Sequence, residues 1–389
     1  MLLQSLILRQ FRNHENLELD VDSGVNLFIG SNGAGKTNLL EAIGILSTGI
    51  SPRGAETESM VMWSKDGFSV KGTFVSDDQA QDPLTLEMKY RTGSARIIRQ
   101  DEKKAVRLRD LLGKVPLVSF VPEDLSLVKG EPDLRRRAVN MILSQVDPSY
   151  AENLKAYADA VKERNAALRQ CAEGLLDSSL LEPWDMIVAK RGLYLCQKRS
   201  DFLNEFSECV SLIQQHLSKG KEKIKLEYKP SFQAPWGETD LERWCEQFKR
   251  IRPQELATGS TMLGPHRDDF LFLINDRPAR LYASEGQKRT CAVSFKLAEI
   301  PFIEERCGQK PICLLDDVLS EFDAERAEQL LYELSQTGQC FVTLTGFEAW
   351  PEGCKRPASI FQVNEYGVKR LTNSEHASTF EPMTTEVVF

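Results

Sequence analysis

One eight-residue motif constrains this chain most: residues 30–37 form a complete phosphate-binding loop of the G-x-x-x-x-G-K-[ST] type. Its glycines allow a tight turn with positive φ, in which successive N–H groups converge on phosphate oxygens. Lys36 is predicted to reach the β- and γ-phosphates, and the Thr37 hydroxyl to hold Mg²⁺. The candidate nucleotide-binding residues are Gly30, Ser31, Asn32, Gly33, Ala34, Gly35, Lys36, Thr37 and Asn38.

The sequence on either side of the loop fits this interpretation. Residues 25–29 are an apolar run of strand type, and residues 38–43 have helical spacing. A strand that leads into a helix N-terminus places an anion at the positive end of the helix dipole. The loop is therefore predicted to bind ATP with Mg²⁺.

The composition is that of a soluble globular protein. The chain has 389 residues, of which 41% are hydrophobic and 27% charged, which predicts two or three lobes. No apolar run approaches the roughly 20 residues that span a bilayer, and residues 2–8 read as a strand instead of a signal peptide. We expect a cytoplasmic protein without a membrane partner.

The cysteines and the net charge exclude further classes of protein. Nine cysteines form no C-x-x-C pair, and Cys291, Cys313 and Cys340 lie in apolar stretches, which predicts buried free thiols. The net charge of −8 argues against a polycation that coats nucleic acid. Local basic tracks remain, each of which could equally be a solvated face. They are residues 135–137, Lys103 and Lys104 with Arg107 and Arg109, and residues 221–225.

The periodicity predicts an α/β protein with two parts. Residues 1–112 read mostly as strands around one helix, whereas residues 113–218 have helical spacing with prolines at the helix starts. Strand character returns near residue 223. We therefore predict a nucleotide-binding head from residues 1–112 and 219–389, with a helical lobe inserted at 113–218. The helices span at most about 30 residues without sustained heptads, which excludes a long coiled coil.

Two further segments complete the predicted site. Residues 312–317 are an apolar strand that ends in two carboxylates. Asp316 is predicted to hold Mg²⁺ through water, and Asp317 to orient or deprotonate the attacking water. Upstream, Ser284, Gly286 and Gln287 form a turn before a helical stretch, which is a second candidate anion cradle.

These segments resemble the ABC-type ATPases, in which a signature loop contacts the γ-phosphate bound on a second subunit. Residues 284–287 resemble that loop, 318–323 the dimer-contacting loop, and 341–345 the strand that leads to the switch position. Thr345 stands where most of these ATPases have His. The signature contains Glu285 in place of Gly, and Asp317 replaces Glu, so the resemblance implies slow hydrolysis.

The N-terminal stretch 6–14 is similar to the opening of SMC-like chromosome and repair ATPases. That resemblance makes Arg12 and Asn13 nucleotide-contact candidates; the alternative is an exposed turn. The most specific resemblance is to the RecF family of bacterial recombination-repair proteins. It rests on residues 11–13, 30–38, 120–125, 128–130, 135–136, 264–269, 284–290 and 314–323. About 246 residues separate Thr37 from Ser284, enough for a compact lobe and too few for SMC arms.

The RecF resemblance implies an ABC-type P-loop ATPase head with an inserted helical lobe. It implies an ATP-dependent homodimer, slow DNA-stimulated hydrolysis, and binding of double-stranded and gapped or single-stranded DNA. Recombinational gap repair, replication restart and SOS induction with the mediator proteins RecR and RecO are also implied. Arg135, Arg136 and Arg137 are candidate DNA contacts, and Glu123 is a candidate link between lobe and nucleotide.

Three other classes share some of these features. An ABC transporter ATPase subunit has the same motifs, but its signature usually follows the loop after about 100 residues, and it needs a membrane partner. A metabolic P-loop enzyme would have no use for residues 284–287 or 264–269. A structural DNA-binding protein with a vestigial nucleotide site would bind DNA without nucleotide.

Overall fold

The computed structural model describes residues 1–76, 82–101, 105–233, 240–322, 324–351, 353–354 and 357–371. Lys103, Lys104, Asp323 and the C-terminal tail, all of which entered the predictions above, lie outside these ranges. The chain divides into two compact units. The head unit comprises Met1–Pro122 and Ile303–Phe389, and the lobe unit comprises Glu123–Phe302.

The strands and helices follow in chain order. The strands are β1 Leu2–Phe11, β2 His14–Asp20, β3 Val25–Ile29, β4 Gly67–Val75, β5 Leu84–Arg91, β6 Ile97–Gln100, β7 Leu117–Phe120, β8 Ile224–Lys229, β9 Asp269–Ile274, β10 Arg277–Pro278, β11 Ile312–Asp316, β12 Cys340–Leu344, β13 Ser359–Asn364 and β14 Gly367–Arg370. The helices are α1 Lys36–Thr48, α2 Leu108–Leu111, α3 Pro132–Val146, α4 Pro148–Ala172, α5 Glu182–Leu217, α6 Asp240–Thr258, α7 Ala279–Tyr282, α8 Glu285–Cys307 and α9 Ala324–Thr337.

A sheet of order β14-β13-β3-β12-β11-β7 forms the nucleotide side of the head unit. All neighbouring strands are parallel except β14, which runs antiparallel to β13. Its strands are continuous apolar runs because both faces of a parallel sheet are covered. Since β3 leads into the phosphate loop and β11 ends at Asp316, both features lie at the carboxyl edge of one sheet, where α/β proteins bind ligands.

An antiparallel sheet of order β2-β1-β4-β5-β6 completes the head unit. In β4, residues alternate strictly between buried and partly exposed. The buried side chains of this sheet, such as Leu6 and Val70, share one apolar core with Leu39, Ile43 and Leu46 of α1. That core fixes the helix that carries Lys36 and Thr37.

Helices α3, α4, α5 and α6 and a sheet of order β10-β9-β8 make up the lobe unit. Pro132, Pro148 and Pro183 stand in the first turns of α3, α4 and α5, as predicted. Helix α5 is 36 residues long, somewhat more than the predicted maximum of about 30. Two of its aromatic rings, Phe202 and Phe206, both pack edge-on against Phe302 of α8.

The boundaries of the lobe unit differ from the predicted 113–218. Residues 113–122 belong with the head because β7 pairs with β11. Residues 219–302 belong with the helices because β8 pairs with β9 and α6 packs on α5. The strand near 224 was correctly predicted, but its partner lies about 45 residues away and local periodicity does not reveal such pairings.

The described helices include none with the length and hydropathy needed to cross a membrane. The predicted burial of Cys291, Cys313 and Cys340 is confirmed, and these thiols are free.

Candidate functional site

The phosphate loop requires glycine at three of its positions. Gly33 and Gly35 have φ of 83° and 106°, in the left-handed region that favours glycine. A Cβ atom at Gly30 would lie 2.1 Å from the Val363 carbonyl oxygen. One at Gly35 would lie 2.4 Å from the Asn13 side chain. The backbone thus makes a tight turn directly before α1, whose N-terminus no side chain caps.

Lys36 is held inside the loop. Its Nζ donates hydrogen bonds to the carbonyl oxygens of Gly30 (2.6 Å) and Ser31 (2.9 Å), and the residue is only 6% exposed. Burial lowers the pKa of this ammonium, while the charges of Asp317 and Asp316 oppose that shift. The cation is therefore positioned between the loop and the two carboxylates.

A cluster of oxygen ligands joins the loop to the end of β11. The Asp316 Oδ1 atom accepts hydrogen bonds from the hydroxyls of Thr37 (2.8 Å) and Thr343 (2.9 Å). Hydroxyl and carboxylate oxygens are ligands that Mg²⁺ prefers. No group of three or more His, Cys, Asp or Glu side chains is placed to hold a metal among the described residues. The Thr37 hydroxyl and the Asp316 carboxylate fit Mg²⁺, which usually takes one or two carboxylates and completes its shell with phosphates and water.

Asp317 has an unusual conformation. Its φ is 51°, in the left-handed region, and its N–H donates a hydrogen bond to the Thr343 hydroxyl at 2.8 Å. Its buried Oδ1 has no hydrogen-bond partner among the described residues. Burial raises the pKa of this carboxyl, with Lys36 opposing the shift. Backbone strain together with an unsatisfied buried oxygen is typical of functional positions.

Thr343 positions both carboxylates, since it donates to Asp316 and accepts from the Asp317 backbone. The strand 341–345 resembles the one that leads to the switch position, but the motif predicts no role for Thr343. The available signal in the sequence was a hydroxyl residue within the apolar run of β12; in the structure Thr343 is fully buried.

The hairpin turn between β1 and β2 is fastened to the loop, although Asn13 within it is exposed and Arg12 is half-buried. Asn13 Nδ2 donates to the Ala34 carbonyl at 3.0 Å, and Asn13 Oδ1 accepts from Asn38 Nδ2 at 2.8 Å. His14 Nε2 lies 3.2 Å from the Gly35 carbonyl, and burial lowers the pKa of this imidazole. The hairpin therefore supports the loop from behind.

Arg12 is held by an acidic residue that the sequence analysis missed. Its guanidinium makes a bidentate contact with buried Glu41 of α1, at 2.7 and 2.9 Å, and donates to the Ser59 carbonyl at 2.7 Å. Arg12 thereby lies next to the helix that begins at Lys36. A charged residue at an otherwise apolar helix position was the signal for Glu41.

A pocket adjoins the loop and adds a basic residue that the sequence analysis also missed. It is lined by Thr37, Leu40, Glu41, Pro52, Arg53, Ser119, Phe120, Val121, Leu314 and Asp316. Arg53 is exposed at this pocket, where its charge suits an anionic ligand.

The predicted signature turn, in the lobe unit, is a reciprocal capping box at the start of α8. The Ser284 N–H donates to Gln287 Oε1 at 2.8 Å, and the Gln287 N–H donates to Ser284 Oγ at 3.2 Å. Exposed Glu285 pairs with Lys288 and Lys129, and these lysines lower its pKa. The Glu285 carboxylate is therefore neutralised by two lysines.

The basic run 135–137 does not form one surface. Arg135 is buried and donates to both carboxylate oxygens of Asp269 and to the carbonyls of Leu127 and Gly130, an arrangement that does not favour its predicted contact with DNA. Arg136 is half-buried and donates to the Asp268 carbonyl, whereas Arg137 is exposed and pairs with Asp133. Successive residues of a helix point in different directions, so a basic triplet spreads over several faces.

A truncation of Arg135 provides a direct check. Arg135→Ala would leave Asp269 and two carbonyls without their donor, and we expect it to lower the free energy of unfolding by roughly 2–4 kcal/mol. Arg137→Ala, on the exposed face of the same helix, should change it by less than about 0.5 kcal/mol. Urea denaturation measures both, and equal stability of the two variants would contradict the structural role of Arg135.

The run 264–269 builds the interior of the lobe unit. Gly264 has φ 126°, and His266 Nδ1 lies 2.7 Å from the Tyr157 hydroxyl; burial lowers the pKa of His266 to about 4. Fully buried Asp268 pairs with Arg199 and accepts hydrogen bonds from the Ser231 N–H and the Tyr228 hydroxyl.

Glu123 is exposed in the turn after β7, and its predicted role stays a prediction.

The loop, the carboxylate pair and the sheet order define a P-loop ATPase head of the ABC and SMC class. The sequence model of the RecF/RecN/SMC N-terminal domain family matches residues 2–365. The chain belongs to this family and, within it, to the RecF proteins. The predicted family and fold class are thus confirmed.

Individual relatives cover almost the whole chain. The DNA replication and repair protein RecF of Heliobacterium modesticaldum is 40% identical over 369 residues, 93% of this chain and 97% of the relative. That of Listeria innocua is 38% identical over 373 residues, 95% of this chain and 99% of the relative. A solved structure of the recombination mediator protein RecF–ATPrS in the RecFOR pathway superimposes with a TM-score of 0.87 at 32% identity, covering 95% of this chain and 98% of that one.

A more distant similarity shows the fold alone. An SMC head bound to the C-winged-helix domain of ScpA has a TM-score of 0.55 at 14% identity, covering 97% of this chain and 100% of that one.

Proposed function

We propose that this protein is an ATP-dependent DNA-binding switch of recombinational gap repair. The observation that carries the proposal is the cluster of Thr37, Asp316, Thr343 and Asp317 around the phosphate loop, in a chain related to RecF over most of its length. A transporter subunit shares the loop, but the family model spans residues 2–365 and supports the RecF-type role.

In this proposal the loop amides and Lys36 bind the triphosphate, and Thr37 and Asp316 hold Mg²⁺, which neutralises phosphate charge when bound. Asn13 and His14 support the loop, and Arg12 stays anchored to Glu41. Asp317 acts on the attacking water, and its departure from the usual Glu is consistent with slow hydrolysis. The enzyme activity is a weak, DNA-stimulated ATPase that resets the switch.

The second half of the nucleotide site comes from another copy of the chain. Ser284, Gly286 and Gln287 of one subunit close over the γ-phosphate on its partner, so ATP favours the dimer by binding it better than the monomer. The dimer then clamps double-stranded or gapped DNA and works with the mediator proteins RecR and RecO in replication restart and SOS induction. The reciprocal cap of Ser284 and Gln287 supports this role because it fixes a polar turn at a helix N-terminus.

The first test is the solution mass, by light scattering, with and without ATP–Mg²⁺ and with added duplex DNA. A monomer that becomes a dimer only with ATP, and then retains DNA, is the expected result. A mass indifferent to ATP would leave the nucleotide site in place but contradict the ATP-dependent dimer.

Ser284→Arg is expected to separate ATP binding from dimerisation. A long cation in the exposed capping position would fill the space that the partner's phosphate needs, so the ATP Kd should stay within about threefold while the dimer is lost. Ser94→Arg, at an exposed serine in the turn between β5 and β6 of the head unit, is the matched control. Size-exclusion chromatography with ATP reads out the result, and a normal ATP dimer of Ser284→Arg would rule out the role in trans.

A further inference from the structure

We propose that an exposed row of lysines in the lobe unit, and not the run 135–137, forms the principal DNA-phosphate contact. The lysine row consists of Lys221 and Lys223, which precede β8, and Lys225 within β8. The inference rests on the proposed DNA binding and specifies the surface that performs it.

The cations of the lysine row are available to a ligand. All three side chains are exposed, and none of them has an ion pair or hydrogen bond from its charged group within the described part of the chain. The cations of 135–137 differ, because Asp133 and Asp269 already neutralise them. A phosphate that reaches the lysine row therefore displaces water and counterions without breaking an existing ion pair.

The acidic residues within the same stretch are directed elsewhere. Glu222 accepts a 2.6 Å hydrogen bond from Nε2 of Gln214, a fully buried residue, and its N–H donates to the Ser218 hydroxyl. Glu227 pairs with Lys229, further along β8. Asp276 lies in the turn between β9 and β10, directly before Arg277, whose side chain is on the face opposite to Lys225.

The backbone keeps these like charges together. The Lys223 N–H donates to Asn275 Oδ1 at 3.0 Å, and the Asn275 N–H donates back to the Lys223 carbonyl at 2.9 Å. Lys225 pairs in register with Leu273 of β9 and lies on the same face as Lys223, which stands opposite Asn275, whereas Arg277 pairs with Ile274 and lies on the other face. Residues two apart on a strand share a face at a spacing of about 7 Å. Neighbouring like charges repel, so a rigid row of them is stabilised by a polyanion.

The chemistry of the row favours a nucleic-acid backbone. The chain as a whole carries a net charge of −8, which makes an unneutralised cationic row a local exception that attracts a polyanion while the remaining surface repels it. Lysine ammonium groups bind phosphates as point charges and do not read bases. The row therefore contributes affinity without sequence preference, as a clamp on DNA requires.

The test compares two triple variants of the full-length protein. Lys221→Gln/Lys223→Gln/Lys225→Gln removes the row, and Lys155→Gln/Lys162→Gln/Lys190→Gln removes the same charge from exposed positions of α4 and α5. Fluorescence anisotropy with a 30-base-pair duplex and ATP–Mg²⁺ is measured over a series of salt concentrations. We expect the row variant to bind at least tenfold more weakly at low salt, with a slope of log K against log[salt] reduced by about 2–3, at about 0.9 per phosphate contact.

The control variant should keep wild-type affinity and slope, and both variants should keep wild-type ATP binding and thermal melting. Wild-type DNA affinity and slope in the row variant would overturn the proposal and leave the row as a docking surface for an acidic protein. A wild-type protein without affinity for duplex would overturn the proposed DNA binding itself, and the inference with it. The two failures are distinguishable because only the second involves the wild type.

Discussion

Lys36→Met is expected to weaken ATP binding by 100-fold or more and to abolish the ATP-dependent dimer. The ammonium lies inside the phosphate loop, 6% exposed, and is the cation that two nearby carboxylates and the loop carbonyls hold in place. Methionine keeps the length of the side chain and removes the charge, so the variant loses the charge-assisted contacts to phosphate. Isothermal titration with ATP–Mg²⁺ measures the affinity.

The matched control for this change is Lys89→Met, on the exposed face of β5 in the same unit. It removes the same charge without touching the loop, and ATP affinity should stay within about twofold of wild type. Among the described residues the Lys36 ammonium donates to the loop carbonyls of Gly30 and Ser31, so thermal melting of the nucleotide-free variant checks that it is folded before its ATP affinity is compared. ATP binding by Lys36→Met within threefold of wild type would contradict the assignment of the loop.

The parts of the site that the sequence predicted are those determined by local geometry. A complete loop motif needs only its own glycines and a strand and helix on either side, so residues 30–37 could be assigned before any tertiary contact was known. Asp316 was predictable because an apolar strand that ends in two carboxylates is itself a short local pattern, and it accompanies the loop motif. Residues 284–287 were recognisable as a helix start because a capping box is a local pattern.

The parts that the sequence did not predict depend on long-range pairing. Glu41 is the partner of Arg12 across 29 positions, and the Thr343 hydroxyl bonds the Asp317 N–H and the Asp316 carboxylate, 26 and 27 residues away. The burial of Arg135 depends on Asp269, 134 positions along the chain. The sequence around an arginine does not show whether the fold supplies a buried acidic partner. Exposed and buried arginines therefore cannot be distinguished before the fold is known.

The same reason explains the lobe boundary. Polar and apolar residues alternate along β8, which predicts a strand. Its partner β9 belongs to the lobe unit and not to the head. Because β8 and β9 pair beside the long helices, residues 219–302 belong to the lobe unit and not to the head, where they were predicted. Composition and periodicity predict the type of an element better than its neighbours.

Asp317→Asn is expected to trap the ATP-bound dimer. Asparagine tolerates the left-handed φ of 51° and keeps the shape of the side chain, so the loop, the Mg²⁺ ligands and ATP affinity should be preserved. It removes the carboxylate that would take the proton from the attacking water, and ATP turnover should fall by about 100-fold or more. Phosphate release at saturating ATP gives the rate, and light scattering gives the lifetime of the dimer.

Two comparisons make this result specific to the carboxylate of Asp317. Asp316→Asn removes the Mg²⁺ ligand instead, so it should weaken Mg²⁺-dependent ATP binding and yield fewer dimers, the opposite outcome. Burial raises the pKa of Asp317, and only the ionised carboxylate accepts a proton. Wild-type turnover should therefore fall with decreasing pH at a higher pH than an ordinary carboxyl group would produce, and Asp317→Asn should lack that limb. Unchanged turnover in the variant, or an identical pH profile, would remove Asp317 from the hydrolytic step.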